Sequence, residues 1–102
     1  MTDASDEIIY RFATYAPLVG SRFEIHRPDG GSVSLELVDA TELPGRGECF
    51  SLVFRGPADA PLDQRTYRVE HASLGGFSLF LVPLGPCDGG QQLEAVVNRL
   101  EA

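Results

Sequence analysis

The stretch Gly75-Gly76-Phe77-Ser78-Leu79-Phe80-Leu81-Val82 decides the fold. Two glycines able to turn the chain lead into the most apolar run of the sequence, and within it Phe77, Leu79 and Leu81 stand at every second position. Alternate side chains of a strand point to opposite faces, so these three share one face and Phe80 and Val82 share the other. The run predicts a strand that is apolar on both faces.

The same period of two recurs upstream. Thr66-Tyr67-Arg68-Val69-Glu70 and Phe50-Ser51-Leu52-Val53-Phe54 alternate. So do Val33, Leu35 and Leu37 with Ser32, Ser34 and Glu36, and Phe23 and Ile25 with Arg22, Glu24 and His26. Between these segments lie turn and loop formers: Arg27-Pro28-Asp29-Gly30-Gly31, the 42–48 stretch with Pro44, Gly45 and Gly47, and Gly56-Pro57-Ala58-Asp59-Ala60-Pro61. Downstream, Asp88-Gly89-Gly90 signals a further hairpin. Leu93, Ala95 and Val97 then suit a strand, while Leu93, Val96, Val97 and Leu100 suit a helix equally well. The hairpin residues ahead of them favour a strand over 91–100.

At the start of the chain, Ser5 precedes acidic residues, and Ile8, Phe12 and Tyr15 follow at i, i+4 and i+7. One short amphipathic helix is expected within residues 1–16, ending near Tyr15 because Pro17 follows. The reading is an all-β domain spanning 1–102, with that N-terminal helix and about six antiparallel strands over 20–100. A small barrel is the first expectation and a two-sheet sandwich the second, since closure removes exposed strand edges.

Composition narrows the function classes. A chain of 102 residues that is 43% hydrophobic holds one core, and its 23% charged fraction and spread of aromatics argue against disorder. The net charge of −7 repels phosphate backbones and anionic lipids, which disfavours nucleic acid and membrane surfaces as partners. The eight basic residues are all Arg, a usage that points toward a GC-rich bacterial genome. The acidic start Met1-Thr2-Asp3-Ala4-Ser5-Asp6-Glu7 is unlike a signal peptide, and no apolar run reaches the ~18 residues of a membrane span, so the expected compartment is the cytoplasm. Cys49 and Cys87 are then expected as free thiols.

No motif for chemistry emerges. There is no G-x-S-x-G elbow, no close C-x-x-C or H-x-x-x-H pair, and no glycine fingerprint for phosphate. His26 and His71 read as residues closing strands at the surface, Ser78 as a solvent-facing strand residue, and Asp29, Asp59 and Asp88 as turn formers. A cyclic-dinucleotide barrel of the PilZ type needs an arginine pair, and Arg22 is followed at the matching spacing by His26. Catalytic residues, cofactor and metal are accordingly all expected to be absent.

What remains is surface. If Phe77, Leu79 and Leu81 face the core, Val53, Phe80, Val82 and Val96 face outward. The first expectation is that the helix carrying Ile8, Phe12 and Tyr15 packs over this second face. The alternative is an interface with another protein or with a second copy in a homo-oligomer.

From Pro17 onward the chain resembles a family of small bacterial proteins formed by a domain of unknown function. The resemblance rests on Leu18-Val19-Gly20 before Phe23, Phe50-Ser51-Leu52-Val53-Phe54 with Gly56-Pro57, Pro61-Leu62, Thr66-Tyr67, Glu70-His71, Leu79-Phe80-Leu81-Val82-Pro83 with Gly85-Pro86, and Glu94-Ala95-Val96-Val97-Asn98. It implies a β-rich fold and genomic company with phage-tail-collar-like proteins, and it transfers no catalytic residue. The functional expectation is a non-enzymatic protein-binding or assembly-accessory domain. Its rival is a small-molecule-binding barrel or a hydrolase using His71 with Glu70 or Asp63.

Overall fold

A computed structural model describes residues 9–44, 48–59, 61–87 and 90–99. Six strands follow one short helical segment: α1 (Phe12–Tyr15) running into a 3-10 turn (Ala16–Leu18), then β1 (Arg22–His26), β2 (Ser32–Glu42), β3 (Glu48–Pro57), β4 (Arg65–His71), β5 (Gly75–Cys87) and β6 (Gly90–Arg99). The strands close into an antiparallel barrel in the order β1-β2-β3-β6-β5-β4. The barrel and the strand over the last segment are as the alternation predicts. No described helix is long and apolar enough to cross a membrane.

The period of two sets the interior. Phe23, Ile25, Val33, Leu35, Leu37, Phe50, Leu52, Phe54, Phe77, Leu79, Leu81, Leu93, Ala95 and Val97 are all buried. Register carries one strand's parity to the next: Phe23 pairs with Leu35, Leu37 with Phe54, and Phe54 with Leu93. Two irregularities bend the wall. One lies between Leu37 and Asp39 in β2 and the other between Pro83 and Gly85 in β5, where an extra residue in one strand increases the local twist.

Two strands outrun their sequence signals. β3 continues through Gly56-Pro57, and β5 continues through Pro83 and Pro86 to Cys87. Proline reads as a strand stop because it donates no hydrogen bond, but these three lie where one neighbouring ladder has ended, since β3 pairs with β2 only as far as Arg55 and β5 with β4 only as far as Leu81. Gly56 faces inward, and a Cβ there would overlap the buried Leu35 side chain. The β4–β5 turn is made by Ala72-Ser73-Leu74 rather than by Gly75-Gly76. The Leu74 N–H donates to the His71 carbonyl at 3.1 Å, and Gly75 follows at φ 80°, the left-handed residue that a three-residue hairpin requires.

The helical segment departs most from expectation. Arg11 is extended, at φ −113° and ψ 132°, so no continuous helix runs from Ile9 to Tyr15. Helical structure also passes Pro17, which sits in the first turn of the 3-10 element where its missing N–H costs nothing. Ser5 and Ile8 lie outside the described residues. The segment does not cover the outer face of β5. Tyr15 is fully buried and packs on Phe50 and Phe77, whose side chains point into the barrel, and Phe12 packs on Phe50. It plugs one end.

The opposite end is closed by the loop between β3 and β4. Leu62 is buried, its N–H donates to Gln91 Oε1 at 3.0 Å, and Gln91 Nε2 donates to the Pro57 carbonyl at 2.9 Å. The Tyr67 hydroxyl donates to the Asp63 carbonyl at 2.8 Å. Strand side chains thus satisfy the loop's backbone.

Candidate functional site

Among the described residues, Tyr15 fills one barrel end and Leu62 the other. Two clefts among the described residues bear on function. One of about 380 Å³ lies between the β1–β2 turn and the loop before β4, lined by Arg27, Asp29, Leu62, Asp63, Arg65 and Tyr67. Its charges are matched inside it: Arg27 reaches Asp29 at 3.5 Å and Arg65 reaches Asp63 at 3.9 Å. Asp29 also accepts the Gly31 N–H at 2.9 Å, the turn role expected of it. Burial holds the Tyr67 hydroxyl above its ordinary range, so it stays protonated and keeps donating to Asp63. The second cleft, of about 280 Å³, is lined by Arg22, Glu24, Glu70, His71, Ala72 and Gly75.

Among the described residues, His71 in this second cleft has the surroundings that most resemble catalytic machinery. Its Nε2 stands 2.9 Å from Ser21 Oγ, a contact between residues 50 apart in the chain. The direction of the hydrogen bonds is wrong for a nucleophile and base. The Ser73 N–H donates to His71 Nδ1 at 2.9 Å, so Nδ1 is the unprotonated nitrogen and Nε2 carries the hydrogen. Nε2–H therefore donates to Ser21, and the Ser21 hydroxyl donates its own proton to the Leu18 carbonyl at 2.6 Å. A general base must accept the proton of its serine, and here the serine accepts from the histidine. Burial holds the His71 pKa below its ordinary value and keeps the ring neutral.

His71 is buried and inward-facing, not a surface residue closing a strand. The parity that places Tyr67 and Val69 inside places His71 with them, a signal present in the sequence but not read there. The carboxylates considered for it go elsewhere. Glu70 points outward and meets His26 at 2.8 Å, and Asp63 lies at the other end of β4 beside Arg65. Among the described residues, no three His, Cys, Asp or Glu side chains gather to hold a metal ion. Ser78 is exposed on the wall opposite Arg68, as expected. Cys49 is a free thiol. The side chain of Cys87 lies outside the described residues, but its backbone pairs with Gly90 while that of Cys49 pairs with Asn98. At about 3.3 Å per residue the length of β6 separates them, far beyond the ~7 Å between α-carbons that a disulfide tolerates.

The outer wall of β3, β6 and β5 carries the feature that alternation predicts. Val53 pairs with Glu94 and Glu94 with Val82, giving one row across three strands that Asp39 of β2 extends beside Val53. In the next row Thr41, Ser51 and Val96 are paired, and Phe80 stands two residues from Val82 on the same face of β5. Phe80 is 49% exposed and Val96 56%, while Val53 and Val82 are half-buried. The helical segment lies at the barrel end and leaves this wall open. At its centre Ser51, itself buried, donates to Glu94 Oε2 at 2.6 Å and holds that carboxylate among the apolar residues.

Fold and wall together define a small closed antiparallel barrel, sealed at both ends, with an apolar stripe on one side. The chain belongs to the DUF6916 family, a domain of unknown function whose model matches residues 10–97. No curated protein and no solved structure matches it.

Proposed function

We propose that the chain is a non-enzymatic protein-binding domain that docks a partner on the outer wall of β3, β6 and β5. One observation carries this reading: Phe80 and Val96 remain about half exposed beside half-buried Val53 and Val82, in a chain whose helical segment is spent on plugging the barrel. Scattered exposed apolar residues are ordinary, but four on one face of adjoining strands form a patch of the kind that interfaces use. The acidic composition supports a protein partner over nucleic acid or lipid. The reversed Ser21–His71 polarity supports a structural role for that pair. An assembly-accessory role in a bacterial cytoplasm fits this picture, and phage-tail-like proteins are the partner class that the family resemblance brings forward.

The test is Phe80→Glu. A half-exposed residue on a strand's outer face contributes little to folding, so the variant is expected to melt within a few degrees of the parent, a change of about 0.5 kcal/mol. A charge placed in an apolar interface is strongly unfavourable, so the proteins that co-purify stoichiometrically with the parent from its own cells should be lost. Unchanged co-purification by a folded Phe80→Glu chain would contradict the proposal.

A further inference from the structure

We infer that the partner meets this wall with an arginine set among apolar side chains, its guanidinium bound to Glu94. The inference rests on the docking role proposed for the wall and specifies what it takes. Glu94 lies between Val53 and Val82 in register and is half-buried. Ser51 occupies only its Oε2, and among the described residues no cationic side chain lies within 4 Å of it. Asp39, on the other side of Val53, is exposed and engaged only through its Oδ2 by the Thr41 hydroxyl at 2.6 Å. The charge nearest the middle of the stripe is therefore negative, and the next row toward the loop-plugged end carries Glu36, Arg55 and Gln92.

A carboxylate enclosed by a docking partner needs a counter-charge, because an unpaired buried charge costs several kcal/mol. A second copy of this chain supplies the wrong one. A two-fold interface presents the same patch from both sides, so its centre would bring one Glu94 toward another, between two chains of net charge −7. Arginine is preferred to lysine for two reasons. Its planar fork can bond Oε1 while Ser51 keeps Oε2, and its flat face can stack on an aromatic ring. Phe80 stands diagonally from Glu94 across the β5–β6 pair, about 7–8 Å away in a regular sheet, within reach of one guanidinium.

The probe is a set of short fluorescent peptides with leucine, isoleucine and phenylalanine around one central residue, which is Arg, Lys, Gln or Glu. The full chain is expected to bind the arginine peptide at least about tenfold more tightly than the glutamine or glutamate peptide, with amide shifts in NMR spectra at Val53, Phe80, Val82 and Val96. Glu94→Gln should abolish that preference, and Glu94→Arg should transfer it to the glutamate peptide. Equal affinities, no binding by any peptide, or a preference unchanged in Glu94→Arg would overturn the inference. So would sedimentation showing a dimer that Glu94→Gln strengthens. If Phe80→Glu still releases the co-purifying partner while Glu94→Arg does not, the docking wall stands and the arginine requirement alone falls. Thermal melts of each variant separate lost binding from lost folding.

Discussion

The two ends of the barrel are closed by different physics. At one end Tyr15 inserts a fully buried ring against Phe50 and Phe77, Phe12 covers Phe50, and Ile9 completes an apolar seal. The Tyr15 hydroxyl donates to the Ile9 carbonyl at 2.9 Å. At the other end one buried aliphatic residue, Leu62, is held by its N–H donating to Gln91, which itself donates to the Pro57 carbonyl, and by a loop that Tyr67 secures. The first seal draws its stability from buried area and the second from satisfied backbone groups. An end without strand partners can be closed either by contributing enough apolar surface or by borrowing polar side chains from the strands beneath it.

The contrast predicts unequal sensitivities. Tyr15→Ala removes a large buried ring and leaves a cavity beside Phe50, and should destabilise the fold by about 3–5 kcal/mol in denaturant unfolding. Burial also pushes the Tyr15 hydroxyl above its ordinary pKa, so the seal stays neutral. Gln91→Ala deletes no core volume but leaves the Leu62 N–H without its acceptor, and should cost about 1–3 kcal/mol. The local effect should differ too. Hydrogen exchange in Gln91→Ala should rise around Leu62 while the Phe50 region stays protected. A Gln91→Ala loss as large as that of Tyr15→Ala would break the distinction between the two seals.

A smaller effect distinguishes the same ends by pH. His71 lies near the helix-plugged end, and its folded pKa is held below the ordinary value of 6.5 by burial. In the folded state it therefore binds its proton less readily than in the unfolded state. Its contribution is complete above pH 6.5 and is lost as pH falls toward the lower folded value. Protonation also removes the Nδ1 lone pair that accepts the Ser73 N–H. Between about pH 7 and about pH 5 the melting temperature of the parent should fall more than that of His71→Gln. Parallel curves would assign the ring no role in stability.

Much of this fold is legible in the sequence. The alternation at Phe23–Ile25, Val33–Leu37, Phe50–Phe54 and Phe77–Leu81 reflects a rule of strand geometry that holds whatever the tertiary context, and it also places Phe80 and Val96 outside. Less legible are features that depend on a second segment. Pro83 and Pro86 read as stops because the end of the β4 ladder at Leu81 has no signature of its own. Phe12 and Tyr15 announce an apolar face but not its destination, which is the barrel end and not the outer wall. Leu62 looks like a loop residue until Gln91 is known to lie beneath it, and the Ser21–His71 contact joins residues with no local spacing to betray them. The stripe at Val53, Phe80, Val82 and Val96 could be read from parity, but the Ser51–Glu94 bond at its centre needed the register.

We propose the wall of β3, β6 and β5 as the working surface of this barrel. Photo-crosslinking in the native host from two positions separates this wall from the rest of the barrel. Val96 lies on β6 and Glu24 on β1, three strands away in either direction around the closed barrel. A benzophenone amino acid at Val96 should give a discrete protein adduct, and the same group at Glu24 should give none above background. Adducts of the same partner in equal yield from both positions, or from Glu24 alone, would contradict the claim.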